Sequence, residues 1–146
     1  MPREYPERPI VGVGVVVFNG DSVLLIKRKN PPRENELSLP GGAQKLGETV
    51  SETAVREVFE ETGLKIKLHG IVDVVNAIYL DKAGEVQYHY TLVEFVAISE
   101  GDTILVAGTD ACDPVWVKKY NIDSLRMWAE TKRIINLAAE MAELIV

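Results

Sequence analysis

Cysteine is almost missing from this chain: Cys112 stands alone among 146 residues. A single thiol excludes an internal disulfide and fits a reducing, cytoplasmic setting. Long apolar runs are missing as well. No stretch reaches the ~18 residues that suggest a membrane-spanning helix. The opening Met1-Pro2-Arg3-Glu4-Tyr5-Pro6-Glu7-Arg8-Pro9 carries charge and proline where a secretory signal would carry an apolar core. A cytoplasmic location, away from membranes, is therefore expected. Basic excess is lacking too, with 16 Lys and Arg against 22 Asp and Glu and a net charge of −6. Without a basic stripe, the chain is not expected to bind a nucleic-acid polymer by neutralising phosphates. Small phosphorylated ligands stay open, because a metal ion can supply the local positive charge. No repeat or low-complexity segment occurs. What is present, 47% hydrophobic residues, suffices for one domain with a core, taken as residues 1–146 with 1–9 as an amino-terminal extension.

Local patterning alternates strands and helices. Ile10 to Phe18 reads as a buried strand, Asn19-Gly20-Asp21 as a hairpin turn, and Val23 to Lys29 as the returning strand. Arg28 at its end is a candidate for contact with a substrate phosphate, against the plainer role of a solvated strand-end cation. Leu37-Ser38-Leu39 is a short strand. Lys65 to His69 and Ile71 to Leu80 read as strands joined at Gly70, and Asp81 to Gly84 as a second hairpin turn before a strand from Glu85 to Ile98. Val86, Tyr88, Tyr90 and Leu92 share one face of that strand; Gln87, His89, Thr91, Val93 and Phe95 share the other. Tyr88, Tyr90 or His89 could line a nucleoside pocket, the alternative for His89 being a satisfied internal histidine. Val115-Trp116-Val117 is a further strand, with Trp116 read as core. Asp123 or Ser124 is expected to cap a last helix from Leu125 to about Glu143, with Ile134, Ile135, Leu137, Ala138, Met141, Leu144 and Ile145 covering the sheet.

The chemistry concentrates in residues 42–64. Thr49 followed by Glu52 is a capping-box pattern that starts a helix at Val50, and Gly63 can supply the left-handed residue that ends it. At about 100° per residue, Val55, Val58, Phe59 and Thr62 fall on one arc and Glu57, Glu60 and Glu61 on another. The first arc is expected to pack on the sheet and the second to face a cleft. Like charges at this spacing destabilise a helix by a few tenths of a kcal/mol per pair. The plain reading is a solvated acidic face. A hard divalent cation turns the same face into a site, and oxygen-only ligands suit Mg²⁺ or Mn²⁺. Arg56 can pair with Glu60 or Glu48 and hold the carboxylates in place, and Pro40-Gly41-Gly42 lets the backbone approach closely.

Written as spacing, the segment is Gly42, five residues, Glu48, seven residues, Arg56-Glu57-Val58, one residue, Glu60-Glu61, one residue, Gly63-Leu64. This resembles the signature box of the Nudix hydrolases. The likeness extends from Pro9 to Leu137, through Val-Gly-Val-Gly-Val-Val-Val-Phe, Val-Leu-Leu-Ile-Lys-Arg, Leu-Ser-Leu-Pro-Gly-Gly and Asp-Pro-Val-Trp-Val. The resemblance implies an α/β/α sandwich, a mixed β-sheet between the box helix and the carboxy-terminal helix. It implies metal ligands at the Gly41 carbonyl and at Glu57, Glu60 and Glu61, with Glu48 supporting or adding to them. Glu57, Glu61 and Arg56 become the candidate catalytic residues; Arg28, Gly42 and His89 the candidate substrate contacts. In this family an acid in the loop before the Trp-containing strand often swings towards the metals, which makes Asp110, ahead of Asp113, a candidate ligand or base. The flanks most resemble the short ADP-ribose pyrophosphatase-like branch, implying Mg²⁺- or Mn²⁺-dependent cleavage of ADP-ribose to AMP and ribose 5-phosphate. Leu37 stands where that branch often has an aromatic residue, so nucleoside triphosphates stay open as substrates. A non-catalytic nucleotide sensor and a protein-interaction domain are the alternatives of other classes. The expected partner is a small nucleotide, and a homodimer is left open.

Overall fold

The computed structural model describes residues 1–101, 103–108 and 113–144. Strand β1 (Ile10–Asn19) turns at Gly20 into β2 (Ser22–Lys27), and short strands β3 (Leu37–Ser38) and β4 (Gly41–Ala43) precede helix α1 (Val50–Thr62). Strands β5 (Lys65–Leu80) and β6 (Val86–Glu100) form a long hairpin, followed by β7 (Pro114–Lys118), a 3₁₀ turn at Lys119–Ser124 and helix α2 (Ala129–Glu143). The sheet runs β3-β2-β1-β6-β5, with β4 added on β1 and β7 on β2. It is mixed: β1 and β6 are parallel, Ile10 opposite Tyr90 through Phe18 opposite Ile98, and the other pairings are antiparallel.

Alternation along β1 divides the core into two layers. Val13, Val15 and Val17 pack with Ala54 and Val58 of α1. Val16 and Phe18 pack with Ile134, Ile135 and Ala138 of α2. Burial of each valine, isoleucine or phenylalanine among them contributes about 1.5–3 kcal/mol. This is the expected sandwich. Among the described residues no helix is long and apolar enough to cross a membrane.

Several local expectations are corrected. Helix α1 buries Thr53, Ala54, Val58 and Thr62, while Val55 and Phe59 stay 42% and 52% exposed. Small side chains at 53 and 54 let the helix lie close to the sheet on that side, which also turns Glu57 and Glu61 inward to half-burial. Strand β5 is continuous across Gly70, whose positive φ falls at a register shift between Leu68 and Gly70. Strand β2 ends at Lys27, two residues early. The last helix starts at Ala129, not Leu125: the chain first makes the 3₁₀ turn, burying Ile122, and neither Asp123 nor Ser124 caps the helix. Leu144 is exposed, and Ile145 lies outside the described residues. Strand β4 was not foreseen.

Candidate active site

Helix α1 starts as its sequence implies. Thr49 Oγ1 accepts from the Glu52 amide at 3.1 Å, and Glu52 Oε1 accepts from the Thr49 amide at 3.0 Å. Gly63 ends the helix at φ 76°, its amide bonding the Phe59 carbonyl at 2.9 Å. Between these caps Arg56 organises the acidic residues. Its Nε and Nη2 donate to the two oxygens of Glu48 at 2.7 and 3.0 Å, and its Nη1 reaches Glu57 at 2.7 Å and Glu60 at 3.2 Å. Nη2 also bonds the Ala43 carbonyl at 3.3 Å, tying α1 to β4. Such a planar fork fixes direction as well as charge.

The carboxylates differ in consequence. Arg56, then the Thr53 hydroxyl at 2.7 Å, hold Glu48 down at about 2. Burial raises Glu57 in spite of Arg56 beside it. Glu61 accepts from the Gly41 amide at 2.8 Å, so α1 and the glycine turn are joined directly. A Cβ on Gly42 would lie 2.4 Å from the Glu57 carboxyl carbon, and one on Gly41 would lie 1.9 Å from the Val13 carbonyl oxygen. Only glycines let β4 pass this closely.

The donor chemistry fits a hard divalent cation: three helix carboxylates and backbone carbonyls, with no sulfur or imidazole among them. Side chains of Glu57 and Glu60 are directed at Arg56 and that of Glu61 at Gly41. Among the described residues no three acidic, histidine or cysteine side chains converge closely enough to hold an ion as they stand.

These groups occupy one end of a cleft of about 870 Å³ that is lined from both α1 and α2. Gly41, Gly42, Glu57 and Glu61 line that end, and Gly12, Gly14, Leu92 and Glu94 form its floor. The opposite end is aromatic and cationic. Tyr79 and Trp128 lie 6.2 Å apart between ring centres, and the Arg33 guanidinium sits 5.9 and 5.4 Å from them. Arg33 also donates to the Tyr79 hydroxyl at 3.2 Å. Arg3 donates to the Tyr90 hydroxyl at 3.1 Å and the Pro31 carbonyl at 3.0 Å, bringing the amino-terminal segment to the rim.

Of the residues singled out from the sequence, Gly41, Gly42, Arg56, Glu57, Glu60 and Glu61 are brought together on α1 and β4. Arg28 lines the cleft, with its Nε bonded to the Pro32 carbonyl at 2.8 Å. Tyr90 lines it as well. Tyr88 is buried edge-on against Tyr79. His89 points to the other face of β6, opposite Ile78, and does not line the cleft. Trp116 packs in the α1-side core and donates to the Thr103 carbonyl at 3.0 Å. Asp110 and Cys112 lie outside the described residues; Asp113 is exposed just before β7.

Arg3, Arg33, Tyr79, Glu94 and Trp128 escaped the sequence reading. Glu94 alone left a signal. Continuing the alternation Tyr88, Tyr90, Leu92 by one step puts a carboxylate on a buried face, and a buried polar residue is the informative kind.

A model of the NUDIX domain matches residues 8–137. An ADP-ribose pyrophosphatase of Methanocaldococcus jannaschii is 36% identical over 117 residues, 80% of this chain and 66% of the relative. The chain thus spans just under two thirds of that relative's length. A MutT NUDIX hydrolase of Burkholderia pseudomallei superposes with a TM-score of 0.71 at 26% identity, covering 90% of this chain and 98% of that one. A bifunctional NMN adenylyltransferase/ADP ribose pyrophosphatase of Francisella tularensis, complexed with AMP and a Mn ion, gives 0.67 at 26% identity, covering 92% of this chain and 42% of that one. Since the matched span takes in the Arg56-centred carboxylates, the glycine turn and the cleft floor alike, the chain belongs to the Nudix hydrolase family.

Proposed function

We propose that this chain hydrolyses the diphosphate bond of a nucleoside diphosphate linked to another moiety, with ADP-ribose yielding AMP and ribose 5-phosphate as the first substrate. The observation that carries the proposal is the two-ended cleft. One end gathers carboxylates around Arg56 and the Gly41-Gly42 turn; the other offers Tyr79, Trp128 and Arg33 to a ring. A diphosphate with a nucleoside attached has this same division. The names of the archaeal and Francisella relatives favour ADP-ribose over triphosphates.

In this reading the Gly41 carbonyl and Glu57, Glu60 and Glu61 hold Mg²⁺ or Mn²⁺, the latter being the ion named with the Francisella relative. When bound, the ion supplies charge stabilisation for in-line attack of water on phosphorus. Arg56 fixes Glu48, Glu57 and Glu60 and keeps their carboxyls from drifting apart. Arg28 and Arg33 supply positive charge along the rim. Trp128 and Tyr79 stack on the ring and exclude water from that end. Asp110 remains the candidate base, a role that requires an acid within about 3 Å of the attacking water or one water away.

Product analysis tests the proposal. With Mg²⁺ present, ADP-ribose should give AMP and ribose 5-phosphate in equal amounts. A strong preference for triphosphates, with release of inorganic pyrophosphate, would instead support the house-cleaning reading. Tight binding without turnover of any diphosphate would support a sensor.

A further inference from the structure

Glu94 is the cleft residue that the hydrolytic reading leaves without a task. It is 6% exposed, and its Oε2 is enclosed with no hydrogen-bond partner among the described residues. Burial alone pushes the carboxyl up to about 7, with no cation contributing. The guanidinium groups that line the cleft are engaged elsewhere: Arg3 with Tyr90 and Pro31, Arg28 with Pro32, Arg33 with Tyr79. A buried polar group left unpaired costs stability, and a leucine there would not.

Space has been made for this carboxyl. Glu94 stands opposite Gly14 in the β1–β6 register, and Gly14 stands opposite Gly41 in the β1–β4 register. A Cβ on Gly14 would come 2.2 Å from Glu94 Oε2, and one on Gly12 would come 2.8 Å from Leu92 Cδ2. The glycines of β1 therefore open the slot in which the carboxyl lies, and all four residues line the cleft.

Position along the strand says which part of a ligand it meets. At about 3.3 Å per residue, Glu94 sits roughly 13 Å along β6 from Tyr90 and roughly 20 Å from the level of Tyr79, which is paired with Tyr88. Across the sheet, at ~4.8 Å per strand, it is only two strands from Gly41. It therefore adjoins the place assigned to the diphosphate, and in a nucleotide the group adjoining the diphosphate is a sugar. The surroundings on the floor, Leu92 and two glycines, suit a neutral donor. A carboxyl can accept from one hydroxyl and, when protonated, donate to its neighbour; acidic residues meet ribose hydroxyls in this way in dinucleotide-binding folds.

We propose that Glu94 is a specificity-determining residue that hydrogen-bonds the ribose diol adjoining the diphosphate of the bound substrate. This rests on the hydrolase reading of the cleft. It separates ribonucleotide from deoxynucleotide substrates, a choice the box residues cannot make.

The test measures kcat/KM for ADP-ribose, ATP and GTP and for the 2′-deoxy and 3′-deoxy forms of each, at either ribose of ADP-ribose. Wild type is compared with Glu94→Leu, Glu94→Val and Glu94→Gln. In wild type, at least one deoxy form of the hydrolysed substrate should fall tenfold or more below its ribo form. Glu94→Leu should lose the ribo activity by a similar factor and treat ribo and deoxy forms within about twofold of each other, the loss of a single buried hydrogen bond. Glu94→Gln should keep part of the preference. Glu94→Val serves the same purpose should leucine not fold. A ribo-to-deoxy ratio unchanged in the apolar variants, or no preference in wild type, overturns the proposal. Which parent compound is hydrolysed best reads the ADP-ribose assignment separately.

Discussion

Glu48 and Glu94 are the same residue in opposite settings. Glu48, at the head of α1, takes two bonds from Arg56, one from Thr53 and one from the Lys45 amide, and is held at about 2. Glu94, on β6 in the cleft floor, has an Oε2 with no partner among the described residues and is pushed to about 7. The first is fully occupied in holding other groups still. In the proposed reading, the second keeps its Oε2 for the bound substrate. A cleft that hydrolyses needs both kinds: carboxylates whose directions are fixed before the ligand arrives, and polar atoms that the ligand itself satisfies.

The largest effect should come from the fixed set. Glu61→Gln removes a proposed ligand without disturbing the core, and kcat should drop ~10²–10⁴-fold, the range associated with loss of a catalytic group. Steady-state kinetics at saturating metal, with a melting curve beside them, checks this. Near wild-type kcat would remove Glu61 from the site.

Next comes Arg56→Ala, which frees Glu48, Glu57 and Glu60 together. Loss of these charge-assisted bonds should cost about 1.5–3 kcal/mol, or ~3–10 °C in Tm for a chain of this length, and lower kcat as well. Arg56→Lys should restore little, because an ammonium cannot reproduce the fork on Glu48. The acid limb should change too. Glu48's contribution is present above its unfolded value near 4.5 and is lost as pH falls towards 2. Unfolding curves between pH 5 and 2 should therefore fall less steeply in Arg56→Ala than in wild type.

At Glu94 the sign is reversed. A carboxyl raised in the folded state binds its proton more tightly there than in the unfolded chain. Stability should then decline as pH rises from about 4.5 through about 7, by up to ~3 kcal/mol. Glu94→Gln should flatten that part of the profile, as chemical unfolding at pH 5 and 8 would show. A smaller effect is expected at the aromatic end. Arg33→Ala should raise KM several-fold with kcat nearly unchanged, since a cation–π contact at a partly exposed site contributes ~0.5–1 kcal/mol to binding.

How much of this was legible in the chain follows from where the information lies. The box is contiguous, so its cap, its carboxylates and Gly63 could be read in order, and the helix fell at Val50–Thr62 as its caps require. Alternation along β6 likewise separated its two faces, whereas the all-apolar run of β1 read only as a buried strand, and its division between two layers came with packing. The far end of the cleft could not be read, because Arg33 comes from the β2–β3 connection, Tyr79 from β5 and Trp128 from the residue before α2, and they meet only once the chain has packed. The rotation of α1 was misjudged for another reason. Hydrophobicity placed Val55 and Phe59 inward, whereas close approach to the sheet selected the small Thr53 and Ala54. The start of α2 was obscured because Asp123 and Ser124 are good capping residues by type, yet they belong to the 3₁₀ turn and the helix begins only after Trp128.

The central claim is that the α1 carboxylates, held by Arg56, make a divalent cation part of the hydrolytic site. The most direct measurement follows AMP and ribose 5-phosphate release from ADP-ribose while Mg²⁺ or Mn²⁺ is titrated into chelator-treated protein, wild type beside Glu61→Gln. The account predicts no turnover without metal, saturable recovery in wild type, and recovery in the variant that needs far more metal and stays orders of magnitude slower. Turnover that survives complete chelation, or a variant indistinguishable from wild type across the titration, would contradict it.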